Sequence, residues 1–172
     1  MIELLRKRRS IRVYEDRNIE PEKIEILKEA LLRSPSSRNI NPWEFIFVDS
    51  KELLNKLSKV KEHGSEFLKD AALGIIVCGD EKRSDVWVED CSIASIIVQM
   101  VAQSINVGSC WIQIRNRMHN KDTTSEAYIQ GLFTIPQNMK VESVVSMGYP
   151  AEKKPGIPKE KLQFNKIRIN RW

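Results

Sequence analysis

The chain has 172 residues, 41% hydrophobic and 30% charged, a balance that predicts one globular domain and excludes a disordered or collagen-like chain. No apolar run approaches the ~18 residues of a membrane span, and no apolar core follows the charged start MIELLRKRRS, so neither a spanning helix nor a signal peptide is expected. Lys and Arg number 28 against 23 Asp and Glu, and the resulting +5 suits an anionic ligand and only weakly suggests nucleic acid.

In chain order, Pro21 with Ile24, Leu27 and Leu31 at helical spacing predicts a helix. It should stop at Ser34-Pro35, because the residue before proline avoids the helical region. SPSSRNINP then reads as a polar loop. WEFIFV (Trp43–Val48) and LGIIVCG (73–79) read as strands, with an amphipathic surface helix over 51–61 between them. The longest helix is expected over about 84–106. It is apolar on nearly every side, and its polar stripe of Ser92, Ser95, Gln99 and Gln103 is uncharged. A chain this short has little material to cover such a helix, so part of it is expected to face a second copy; the alternative is an ordinary central helix.

GSCWIQI (108–114) is a third strand, a short helix follows over about 123–132, and VESVVSMGYP (141–150) is a fourth strand. Near the end, Ile167 and Ile169 alternate with cations, which predicts an added edge strand that wraps a neighbouring subunit. The expected division is one domain over 1–150 and a C-terminal extension over 151–172.

Three stretches could carry chemistry. In RRSIR, Arg8, Arg9, Ser10 and Arg12 place three permanent cations and a hydroxyl within five residues. If extended, Arg8, Ser10 and Arg12 share a face, and guanidinium forks match phosphate oxygens; a solvated basic end is the plainer reading. In SPSSRNINPW, short hydroxyl and amide side chains can reach ligand or backbone groups, or simply stop a helix. In the third strand, Gly108 and Ser109 permit close approach, and Trp111 and Ile112 could pack on a flat ring or in a core.

Cys78, Cys91 and Cys110 lack C-x-x-C spacing and sit among apolar residues, which predicts reduced buried thiols and a cytoplasmic protein. His63 and His119 are too isolated for a metal site. There is no G-x-G-x-x-G, no Walker loop and no G-x-S-x-G, so an organic cofactor would have to supply the chemistry.

Taken together and in order, RRSIRVYED, SPSSRNINPWEF, EDCSIASIIVQMVAQSINVGSCWI and SMGYPAEKKP resemble the FMN-dependent nitroreductase family, over residues 6 to about 155. QIRNR after the third strand is similar to its compact members. The resemblance implies an α+β fold with a central, mainly antiparallel sheet flanked by helices. It implies a homodimer with flavin sites at the interface and exchanged C-terminal segments. By the same resemblance, Arg8, Arg9, Ser10 and Arg12 hold the flavin phosphate and ribityl, and Lys154 lies near the phosphate. Pro35, Ser36, Ser37 and Asn39 come from the other subunit, and Trp111, Ile112 and Gln113 run against the ring near N5. The implied activity passes electrons from NAD(P)H through FMN to a nitro-aromatic, quinone-like or other small organic acceptor in a ping-pong scheme, with no catalytic side chain assigned.

Departures from the family pattern are Asn41 where many members have Gln, Gly64 and Phe67 at ring and ribityl positions, and Gly156 where an Arg is common. Two other readings are a basic dimer that binds nucleic acid through Arg8, Arg9 and the tail, and a flavin enzyme of the same fold that carries out dehalogenation or enoate reduction. The first lacks the interleaved aromatics of a stacking platform, so no nucleic acid and no membrane is expected as a partner.

Overall fold

A computed structural model describes residues 1–172. Four strands, β1 (Trp43–Val48), β2 (Leu73–Asp80), β3 (Gly108–Gln113) and β4 (Met139–Gly148), form one antiparallel sheet in the order β1-β2-β4-β3. Helices cover both faces, so the central β2 and β4 are buried along nearly their whole length and lack a solvent-facing alternation.

Against one face lie α2 (Pro21–Leu32) and α4 (Trp87–Ser104), where Leu27, Leu31, Ile75, Val77, Ala94, Val98 and Met147 share a core. The other face packs under α3 (Lys51–Leu57) and α5 (Ser125–Phe133), through Leu54, Leu57, Ile76, Ile112, Ile129 and Val144. This is the α+β architecture expected from the sequence. The long helix starts three residues later than its apolar pattern suggested, because Asp80 accepts the backbone N–H groups of Lys82 and Arg83 and holds 80–84 in a turn.

Two features differ from expectation. A short helix, α1 (Ile2–Lys7), opens the chain; it buries no residue, so it left no amphipathic signal. The tail forms no strand in this chain. Residues Lys159–Lys161 and Phe164–Lys166 make 3₁₀ turns, and Asn170 adopts a left-handed conformation (φ 64°) that interrupts the extended run expected around Ile167 and Ile169. Ile169 and Trp172 stand fully in solvent.

The polar stripe of α4 turns inward. Ser95 Oγ meets Ser143 Oγ of β4 at 3.2 Å, and Gln99 Nε2 donates to the Ser95 carbonyl at 3.2 Å. Ile93 and Ile96, near the middle of the helix, are left 38% and 43% exposed.

Candidate functional site

The RRSIR segment is laid on the free edge of β3. α1 ends at Arg8, whose backbone is extended (φ −61°, ψ 128°). Ser10 forms a parallel bridge with Ser109, and the Ile11 N–H donates to the Ser109 carbonyl at 3.0 Å. The approach needs a glycine at 108: a Cβ there would sit 3.1 Å from Ile11 Cβ and 3.0 Å from Pro150 Cγ. Beyond it, the buried Tyr14 hydroxyl donates to the Ile11 carbonyl at 2.7 Å and meets Ser146 Oγ at 2.8 Å. Burial holds that phenol above the usual tyrosine range, so it stays neutral.

Arg8, Ser10, Arg12 and Lys154 all lie near enough to Cys110 of β3 to act on its thiol. Burial pushes this thiol up, and Arg12, the Ser10 hydroxyl, Lys154 and Arg8 pull it back. No carboxylate lies within ion-pair distance of Arg8, Arg9 or Arg12. Lys154 Nζ donates to the Ser10 carbonyl at 3.0 Å and to Glu152 Oε1 at 2.7 Å. Glu152 Oε1 also accepts the Arg12 N–H (2.6 Å) and the Val13 N–H (3.3 Å), so it staples the segment from the tail side. Glu152 carried no signal in the sequence beyond its place after SMGYP.

Arg9 leaves in another direction and donates to the Pro155 carbonyl. Gly156 packs on the Arg6 carbonyl so closely that a Cβ would overlap that oxygen, and no side chain fits there. The departure at 156 is therefore built into how α1 meets the tail. Arg12 stands 5.7 Å from the centre of the Phe67 ring, beside a cavity of about 420 Å³ whose wall includes Lys69. Lys69, which sequence reasoning missed, brings a cation close to the position where Phe67 departs from the family.

The loop after α2 is held by the first turn of α4. Ser36 Oγ accepts the Asn41 N–H at 2.8 Å and donates to Asn41 Oδ1 at 2.7 Å. The Ser37 N–H donates to Asp90 Oδ1 at 2.8 Å, and the Ser84 hydroxyl donates to Asp90 Oδ2 at 3.3 Å; Asp90 is 2% exposed. Arg38, Asn39 and Asn41 all take positive φ (53°, 55° and 51°), a region that asparagine tolerates and that is strained for Arg38. Arg38 pairs with Asp85, and Pro35 and Asn39 face outward.

On β3, Trp111 Nε1 donates to Gln113 Oε1 at 2.9 Å, and Gln113 Nε2 donates to the Arg115 carbonyl at 3.0 Å. Both side chains are half-buried, whereas Ile112 is turned into the core and offers a ligand only its backbone.

Within one chain the structure brings Arg8, Ser10, Arg12, Lys154 and the start of β3 together. It does not bring the Pro35–Asn39 loop to them. The loop is anchored at Asp90, in the first turn of α4, whereas Arg9 and Ile11 share a groove with Gln103 in the last turn. Thirteen residues of helix separate these anchors by about 20 Å.

The Nitroreductase family model matches residues 5–63. An Archaeoglobus fulgidus protein provisionally named an NADH dehydrogenase/NAD(P)H nitroreductase is 38% identical over 99% of this chain and 96% of its own length. A Bacillus subtilis protein named FMN reductase [NAD(P)H] is 25% identical over 99% of this chain and 75% of its length. Among solved structures, one named an FMN-dependent nitroreductase from Clostridium difficile R20291 superposes with a TM-score of 0.98 at 41% identity, each chain wholly covered. With identity of this order sustained along the whole chain, sheet and RRSIR edge included, this protein belongs to the nitroreductase family.

Proposed function

We propose that the chain is a flavin oxidoreductase that binds FMN, accepts electrons from NAD(P)H and delivers them by a ping-pong scheme to a nitro-aromatic, quinone-like or other small organic acceptor. The observation that carries this reading is the cation cluster on the edge of β3. Arg8, Arg12 and Lys154 converge with the Ser10 hydroxyl around the start of that strand, and neither arginine has a carboxylate to neutralise it. Two guanidinium donors free of an acidic partner, beside an ammonium shared with Glu152, are a donor set that matches a phosphate monoester.

FMN, when bound, supplies hydride exchange between nicotinamide and acceptor. The chain's residues hold and orient it. Arg8, Ser10 and Arg12 grip the phosphate and the polar chain, and Lys154 adds charge from the tail side. Arg9 contributes charge while tying the tail through Pro155. Trp111, the Ile112 backbone and Gln113 lie along the ring. Pro35, Ser36, Ser37 and Asn39 reach it from a second copy of the chain, since they sit at the far end of α4 in their own.

The working unit in this reading is a homodimer, with residues 1–150 as the flavin-binding domain and 151–172 as an extension lying on the partner. The exposed Ile157, Leu162, Phe164, Ile167 and Trp172 of that extension support such a docking role. No helix is long and apolar enough to cross a membrane.

The experiment is direct. Purified protein incubated with FMN retains a yellow chromophore through gel filtration, and NADH or NADPH bleaches it anaerobically. Arg12→Glu replaces an attraction to phosphate by a repulsion and loses the chromophore. A folded wild-type protein that stays colourless at saturating FMN overturns the proposal.

A further inference from the structure

Beyond Gln113 the chain turns back beside the end of β3. The Ile114 and Arg115 N–H groups donate to the Glu142 carbonyl at 3.2 and 3.1 Å. The Arg117 N–H donates to the Ile114 carbonyl at 3.0 Å, across Asn116 with φ 57°. The segment that follows α3 is laced to this turn. Buried Ser125 donates its N–H to the Arg117 carbonyl and its hydroxyl to the Val60 carbonyl, both at 2.9 Å. His119 Nδ1 donates to the Lys59 carbonyl at 2.8 Å, and the His119 ring stacks on Tyr128 with centroids 4.1 Å apart. The Tyr128 hydroxyl donates to the Lys56 carbonyl at 3.1 Å. These bonds fix Lys61 and Arg117 on adjoining stretches of backbone.

Neither cation has a carboxylate within ion-pair distance. The acid that acts on Lys61 is Glu66, and both of its oxygens are turned to the Gly64 N–H, at 3.1 and 2.8 Å. The Arg117 guanidinium donates to the adjacent Asn116 carbonyl at 3.0 Å. Arg115 leaves in another direction, 6.0 Å from the centre of the Trp87 ring. Lys61 is half-buried, so its ammonium is partly stripped of water beside a second cation.

Two like charges fixed side by side repel, and an anion between them removes the repulsion. The phosphate of FMN is not that anion for Arg117. The flavin reading puts it at the Ser10–Ser109 bridge, whereas Arg117 lies past Gln113, and the strand from Ser109 to Gln113 spans about 13 Å. Nitro-aromatic and quinone acceptors carry no obligatory charge. A nicotinamide dinucleotide brings phosphate to the ring each time it delivers hydride.

We infer that Lys61 and Arg117 form a second anion subsite, at the Gln113 end of β3, that binds a phosphate of the nicotinamide donor, either its 2′-phosphate or its diphosphate. The inference rests on the flavin reading of that strand. Burial, and then Arg117, push the Lys61 ammonium below the usual lysine range, with Glu66 and Cys110 opposing; a bound phosphate favours the charged form.

The first arm of the test assays the FMN-loaded chain with NADPH and with NADH. In a ping-pong scheme, kcat/KM for the donor reports the reductive half-reaction alone. Arg117→Ser, at an exposed position, lowers kcat/KM for NADPH about tenfold and leaves kcat/KM for the acceptor and FMN affinity at wild-type values. Lys61→Gln does the same. A loss confined to NADPH assigns the 2′-phosphate, and an equal loss with NADH assigns the diphosphate.

The second arm needs no flavin. In the FMN-free Arg12→Glu chain at about pH 7, 2′-AMP is titrated while the His119 imidazole, one of two histidines in the chain, is followed by NMR and assigned with His119→Gln. The resonance shifts to saturation with 2′-AMP and not with adenosine, and Arg117→Ser abolishes the shift. Wild-type donor kcat/KM in both variants, an equal loss in the acceptor half-reaction, or no shift with 2′-AMP overturns the inference. A wild-type protein that takes no FMN overturns the flavin reading and the donor role with it, whereas the 2′-AMP titration still decides whether Lys61 and Arg117 bind phosphate.

Discussion

Asp90 is where the loop of left-handed residues is fastened, and Asp90→Ala tests whether that fastening matters for flavin. The substitution removes the acceptor of the Ser37 N–H at 2.8 Å and of the Ser84 hydroxyl at 3.3 Å, at a position 2% exposed. Losing such a buried anchor costs about 2 kcal/mol. The loop it restrains holds three residues at φ 51–55°, of which Arg38 is disfavoured by about 1 kcal/mol while Asn39 and Asn41 tolerate the region. The anchor outweighs that strain, so its removal lets the loop relax. A drop of ~2 kcal/mol in the competent conformation raises the apparent Kd for FMN by about tenfold or more. Asp90→Asn keeps an oxygen at the Oδ1 position and recovers most of the affinity.

The assay is quenching of FMN fluorescence at fixed protein concentration, alongside a thermal melt that places Asp90→Ala about 4–8 °C below wild type but still folded. A second arm exploits the separation of the two half-sites. Co-expressed Asp90→Ala and Arg12→Glu chains form mixed dimers in which one site carries both lesions and the other carries none. Those dimers keep one wild-type site, so about half their sites bind FMN with wild-type affinity, although both sites are weakened in the Asp90→Ala parent and lost in the Arg12→Glu parent. Unchanged affinity in folded Asp90→Ala, or no recovery in the mixed dimer, refutes the assignment of the loop to a partner's site.

Gly156→Ala forces the tail away from the Arg6 carbonyl, and if the proposed dimer holds, light scattering shows this variant shifted toward the 19.9 kDa monomer relative to wild type. The three cysteines resist an aromatic disulfide reagent in the native protein and react fully in denaturant, because burial pushes Cys78 up to about 12 and raises Cys91 and Cys110 as well. Glu20 is held down to about 2 by the Tyr149 hydroxyl first, with Arg17 and Lys23 adding to it. A depressed carboxyl stabilises the fold above its unfolded value near 4.5 and loses that contribution as pH falls toward 2. Urea midpoints therefore separate wild type from Glu20→Gln at pH 7 and converge at about pH 2.

What could be read from the sequence was whatever left a periodic or punctuated pattern. β1 falls on Trp43–Val48 as expected, and α2 begins at Pro21 because that residue is pre-set for a first turn. α1 escaped notice because none of its six residues is buried. The polar stripe on α4 was visible, but its destination was not: a row of serines and glutamines reads the same whether it meets solvent or Ser143. Glu152 and Asp90 act through contacts more than 50 residues away in the chain, and no local spacing encodes such partners. Arg8, Ser10 and Arg12 stand out in the sequence because their chemistry is dense and local. The direction in which Arg9 leaves them depends on Pro155, 146 residues on.

The arrangement of α4 joins these observations. One end of the helix fastens the Pro35–Asn39 loop at Asp90, and the other lies beside the groove that holds Arg9 and Ile11. Ile93 and Ile96, exposed on one chain, fall close to its midpoint. A twofold axis passing near those isoleucines would lay two α4 helices antiparallel, cover the exposed apolar side chains, and set the first turn of one copy against the last turn of the other. That single operation closes the gap of about 20 Å between the half-sites, in both directions at once. It would also account for a helix apolar on nearly every side in so short a chain: the part that the sheet and α2 leave open is the part that a second copy would cover.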